Sequence, residues 1–167
     1  MVVVRTILVG IVQWVAFLGL VYGMVAGMAR LSRRLMRRKY ERATVANIVV
    51  DQAGAQTIPV LATFTGVRGL PWWYGVAVNN AKPLLVLEPG AVRFRVFRER
   101  RRLFSEIACA DVRQATGTVN LELAFHGSPL TFSANLGAVP LAGHVLRLLP
   151  PSIPLSPRAL AIRNACP

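Results

Sequence analysis

The residues able to do acid-base or nucleophilic chemistry are few and scattered. Seven carboxylates occur in 167 residues. Apart from Glu41 they are Asp51, Glu88, Glu99, Glu106, Asp111 and Glu122, and no two sit at a spacing that pairs them on one helix face or strand face. The imidazoles, His126 and His144, and the thiols, Cys109 and Cys166, are isolated in sequence, so neither a zinc-ligand pattern nor a disulfide framework can be written. No glycine-rich phosphate loop follows an apolar strand. An enzyme needs a nucleophile with a base, paired carboxylates or a metal cluster. No catalytic residue, metal site or cofactor is therefore expected.

Positive charge is the chemistry that does concentrate. The chain carries a formal net charge of +13 although 54% of its residues are hydrophobic, so the two classes must be segregated. One basic cluster is Arg98, Arg100, Arg101 and Arg102, within the stretch RERRR. Guanidinium groups bind phosphate and carboxylate in a forked geometry, which makes these four candidates for an anionic lipid or a protein partner. A solvated hairpin tip is the plainer account of the same residues. Trp72 and Trp73, followed by Tyr74, are the second candidate binding feature, because three adjacent aromatics cannot all face one core in a strand. Such residues favour membrane interfaces and binding hot spots, with packing against the sheet as the alternative.

The second basic feature comprises Arg30, Arg33, Arg34, Arg37, Arg38, Lys39 and Arg42, set against Glu41 alone. It follows a segment, Thr6 to Ala29, that holds no charged residue. As a helix this segment rises roughly 36 Å, enough to cross a hydrocarbon core of about 30 Å. The expectation is a single transmembrane helix at 6–29 and a basic juxtamembrane helix or linker at 30–46. The Lys and Arg bias then puts the N-terminus outside and the following domain at the cytoplasmic face of the inner (cell) membrane. Gly19, Gly23 and Gly27 recur at every fourth residue and predict a helix-packing face. Nucleic acid is not expected as a partner, since no aromatic interleaving or recognition-helix pattern accompanies the charge.

The elements that must position the second half of the chain read as β-structure. Val92, Phe94 and Val96 alternate with Arg93 and Arg95, and Leu121, Leu123 and Phe125 alternate with Asn120 and Glu122. A period of two marks a half-buried strand. Leu84 to Leu87 ends at Pro89-Gly90, and Leu130, Phe132 and Ala134 follow Gly127-Ser128-Pro129, so two hairpins are predicted. Leu136 to Leu149 turns helical and stops before Pro150-Pro151. The assigned regions are a connecting segment at 47–70, a β-domain with its C-terminal helix at 71–150 and a proline-containing, extended or disordered tail at 151–167.

The order strand, Pro89-Gly90 turn, VRFRVF, basic turn, LFSEIACADVRQA, hairpin NLELAFHGSPLTFSA and helix resembles a bacterial pleckstrin-homology-like domain over Pro71 to Pro150. The motif most responsible is Phe104-Ser105-Glu106-Ile107. The resemblance implies a bent antiparallel sheet or barrel of seven strands capped by a C-terminal helix, a role in binding lipids, peptides or proteins, and no catalytic residues. Family members that bind phosphoinositides carry basic residues in the first inter-strand loop. Here the corresponding Asn79 to Pro83 holds only Lys82, and the arginine cluster lies one hairpin later. The expected function is a non-enzymatic, membrane-tethered binding or scaffolding module contacting anionic lipid or a protein partner, with self-association as a further option. The alternative is an accessory subunit of a larger inner-membrane complex.

Overall fold

The computed structural model describes residues 14, 17–28, 30–31, 37, 41, 43–70, 77–115 and 118–166. The chain divides into two compact units, 1–39 and 40–167. In the first, residues 17–28 form a helix, α1, and residues 14, 30, 31 and 37 are also helical. Its large apolar side chains, among them Leu18, Leu20, Met24 and Val25, are exposed. Trp14 meets Phe17 edge-on at a ring separation of 6.1 Å.

The expected transmembrane helix is corrected here. Among the described residues no helix is long and apolar enough to cross a membrane. The helix described without interruption, residues 17–28, rises about 18 Å, against roughly 30 Å of hydrocarbon. The remainder of the 6–29 segment, Trp14 apart, lies outside the described residues. With the span goes the support for a single-pass, N-terminus-out placement.

The second unit is mainly β. Its strands are β1 (Val49–Val50), β2 (Gln56–Thr57), β3 (Ala62–Val67), β4 (Ala77–Asn79), β5 (Leu84–Glu88), β6 (Ala91–Arg95), β7 (Glu99–Leu103), β8 (Ile107–Ala115), β9 (Thr118–Phe125) and β10 (Leu130–Asn135). Two helices follow, α2 (Val139–Leu148) and α3 (Pro157–Ala165). The strands make two antiparallel five-stranded sheets, ordered β1-β2-β5-β6-β7 and β4-β3-β10-β9-β8. Seven strands have five residues or more, while β1, β2 and β4 have two or three. One apolar cluster runs through both sheets and both helices, including Leu85, Val92, Leu121, Phe132, Leu141 and Ile162.

Local chemistry explains the hairpins. Glu88 pairs with Ala91 across Pro89-Gly90. Proline presets the first turn residue and Gly90 takes φ of 84°, which side chains with a Cβ resist. In β9 every second residue, from Val119 to Phe125, is buried. At the start of β8 the pairing shifts between Ile107 and Cys109, a bulge that inserts Ala108. The fully buried Thr63 of β3 donates its hydroxyl to the Arg95 carbonyl at 2.5 Å, tying one sheet to the other.

Two of the assigned regions in this unit hold more structure than expected. The 47–70 segment holds β1, β2 and β3, so it is part of both sheets and more than a connection. The 151–167 tail is folded. Ala110 of β8 bonds the Pro154 carbonyl and the Ser156 amide, each at 2.9 Å, which lays the tail along the edge of that sheet. Ser156 then caps α3 by accepting from the Ala159 amide at 3.1 Å, and buried Ala159 and Ile162 secure the helix. Gly143 of α2 lets α3 close in: a Cβ there would lie 2.6 Å from Cys166 Sγ.

Candidate functional site

The stretch RERRR, expected to be a turn, contains most of strand β7. Residues two apart in a strand share a face, so β7 sorts its arginines. Cross-strand partners on β6 confirm the sorting: Val92 faces Arg102 and Phe94 faces Arg100, whereas Arg93 faces Arg101 and Arg95 faces Glu99. The first two pairs lie on the side of the core. The other two lie on the outer side.

The outer side is an ion-pair network. Glu88 accepts from Arg93 and Arg101, both at 2.7 Å. Glu99 accepts from Arg93 at 2.8 Å and from Arg95 at 2.7 Å. The hydrogen bond from Arg101, reinforced by Arg93, holds the Glu88 carboxyl below the usual carboxylate range. Arg95 and Arg93 do the same for Glu99. In return the two glutamates, Glu99 first, raise the pKa of Arg93.

The inner side faces a cavity of about 300 Å³ that opens between the two sheets. Its floor is aromatic. Phe94 stacks on Phe125 at 5.8 Å and meets Phe132 at 4.2 Å, and all three are buried. Arg102 forms one wall. It pairs with Glu106 at 2.8 Å and lies over the Phe125 ring, 5.7 Å from its centre. Glu106 is in turn held below the ordinary carboxylate range, chiefly by the Leu103 amide and then by Arg102. Arg98 and Arg100 stand at the exposed mouth beside Phe97, which is 79% exposed. Among the described residues, neither Arg98 nor Arg100 has a carboxylate at ion-pair distance.

Of the four arginines singled out from the sequence, the fold brings Arg98, Arg100 and Arg102 to one cavity and sends Arg101 to the opposite face. Trp72 and Trp73 lie outside the described residues, as do Arg33, Arg34, Arg38, Lys39 and Arg42. Arg30 and Arg37 are helical and exposed. Gly19, Gly23 and Gly27 lie in α1, where an added Cβ would meet nothing within 4 Å. The sequence reading missed Phe94, Phe97, Phe125 and Phe132 as site residues. The signal was available in RERRR itself, because reading it as a strand puts Arg98, Arg100 and Arg102 on the side of Phe94.

A second polar cluster lies at the tail. Asp111 accepts from the Ser156 hydroxyl, from Arg158 and, at 2.8 Å, from the Val112 amide. Ser156 is occupied as a helix cap, so these contacts fasten α3 to β8. Cys109 and Cys166 form no disulfide. Burial, aided by Asp111, pushes the Cys109 thiol pKa up. Among the described residues no group of three potential metal ligands occurs.

Comparison with protein-family models, curated proteins and solved structures gives no match to this chain.

Proposed function

We propose that the chain is a non-enzymatic binding module that engages anionic groups at a membrane surface through the mouth between its two sheets. One observation carries this reading. Six arginines and three glutamates occur between Leu84 and Glu106. Arg93, Arg95, Arg101 and Arg102 are ion-paired, whereas Arg98 and Arg100 stand at the cleft rim without a carboxylate among the described residues. Unneutralised guanidinium groups near an anionic bilayer are attracted at about 1 kcal/mol each. The exposed Phe97 beside them supplies an apolar contact of the kind favoured at the headgroup boundary. The pleckstrin-homology-like resemblance belongs to the same proposal: antiparallel sheets followed by a helix support it, while the seven strands and single helix it implies are ten strands and two helices among the described residues of this unit.

The test places an environment-sensitive dye on the full chain at Phe97→Cys, with Cys109→Ser and Cys166→Ser as background. Vesicles containing anionic lipid should shift the dye to an apolar environment and zwitterionic vesicles should not. Salt and the double change Arg98→Ser, Arg100→Ser should abolish the shift, while Arg101→Ser should leave it. A dye that stays in water with anionic vesicles, or a response indifferent to Arg98 and Arg100, refutes the proposal.

A further inference from the structure

We infer that the cleft holds a single anionic amphiphile, a hydrocarbon chain ending in a carboxylate or phosphate, with the chain between the sheets and the anion between Arg98 and Arg100. This rests on the reading above and names its ligand class. The cleft has two chemistries in one line. Its interior presents Phe94, Val96, Phe125 and Phe132, all buried side chains, and its mouth presents two cations. A bare anion would leave the aromatic floor unused, and a neutral hydrocarbon would leave the arginines unused.

Size narrows the class. The cavity, about 300 Å³, stands at the small end of the roughly 300–1,000 Å³ typical of small-molecule sites. That is room for one chain in preference to a whole two-chain lipid. The strand register fixes the approach. Arg100 lies directly across from Phe94, so one end of the ligand can meet the guanidinium while the next atoms meet the ring. Arg102 is already neutralised by Glu106 and covers Phe125, which makes it part of the wall and leaves anion recognition to Arg98 and Arg100. On the opposite lip Ser128 is engaged with the backbone of Leu130 in both directions at 3.1 Å. That side therefore offers a closed polar turn and the apolar Leu130 side chain.

The experiment uses the full chain and straight-chain alkanoates below their micellar concentration, from hexanoate to decanoate. Affinity should rise about fourfold per added methylene until the cleft fills, the factor expected for burying each methylene. Decanol should bind at least tenfold more weakly than decanoate, and inorganic phosphate should not compete. Arg98→Ser with Arg100→Ser should cost decanoate at least tenfold. Filling the cleft with Thr65→Trp, or more gently with Ala77→Leu where the first fails to fold, should abolish decanoate binding and leave the Phe97 response to anionic vesicles. A decanoate bearing a terminal diazirine should crosslink to β6, β7, β9 or β10. Crosslinks confined to residues 14–31, or affinity independent of chain length, overturn the inference. Vesicle engagement at Phe97 without decanoate binding overturns it and spares the surface proposal. Loss of both overturns both.

Discussion

Asp111→Ala should release the C-terminal helix while leaving the sheets paired. The Asp111 side chain is only 16% exposed, and it receives the Ser156 hydroxyl at the point where the tail leaves the edge of β8 and enters α3. A hydrogen bond to a charged, mostly buried acceptor contributes about 1.5–3 kcal/mol. The pair with Arg158, whose side chain is 62% exposed, adds only about 0–1 kcal/mol after screening by solvent. The expected loss is therefore about 1.5–4 kcal/mol, confined largely to the tail. Hydrogen exchange read by mass spectrometry is the assay. Peptides covering α3 should exchange about 100-fold faster, whereas those covering β9 should change little, because local opening exposes only the weakest cooperative unit. Asp111→Asn keeps an oxygen for Ser156 and should cost less than half as much. Unchanged exchange in α3, or equal acceleration in α3 and β9, would refute the assignment of Asp111 as the latch.

Lowering the pH should weaken the β6–β7 hairpin. Hydrogen bonds from arginines, and for Glu106 first from the Leu103 amide, hold Glu88, Glu99 and Glu106 below the usual carboxylate range, so their contribution is complete above that range and is lost as pH falls through the lowered values. Glu88→Gln should cost about 0.5–1 kcal/mol at pH 7 and flatten the acid limb of the stability profile. An unchanged acid limb in denaturant titrations would count against the network. Phe94→Ala should cost about 3–5 kcal/mol, since it removes a buried ring that contacts two others; a urea midpoint close to that of the parent would be the contrary result. At Gly66→Ala the new Cβ would lie 2.9 Å from Thr131 Oγ1. A loss of about 1–3 kcal/mol is expected, with partial recovery on adding Thr131→Ala, and strict additivity of the two changes would disprove the close approach.

The elements legible in the sequence are those whose pattern repeats within a few residues. Strands β6, β9 and β10 announce themselves by apolar residues at a period of two, and α2 by its apolar face and the prolines that follow it. Strand β7 was hidden because Glu99 to Arg102 is polar on both faces, which local pattern equates with a turn. Helix α3 was hidden because its own amphipathic signal is weak. Beyond the local Ser156 cap, it is held by Asp111 and by packing on α2, contacts that reach 19 to 47 residues away in the chain.

Sequence by itself determined a predominantly β unit, a helix after its last strand and a dense positive charge. The tertiary structure decided which arginines remain available. Whether a guanidinium is neutralised depends on strand register, and register brings Glu88 to Arg101 across 13 residues while carrying Arg100 to the opposite face beside Phe94. Composition counts charges equally; only the pleat of a paired strand separates those that are spent on one another from those turned toward the cleft.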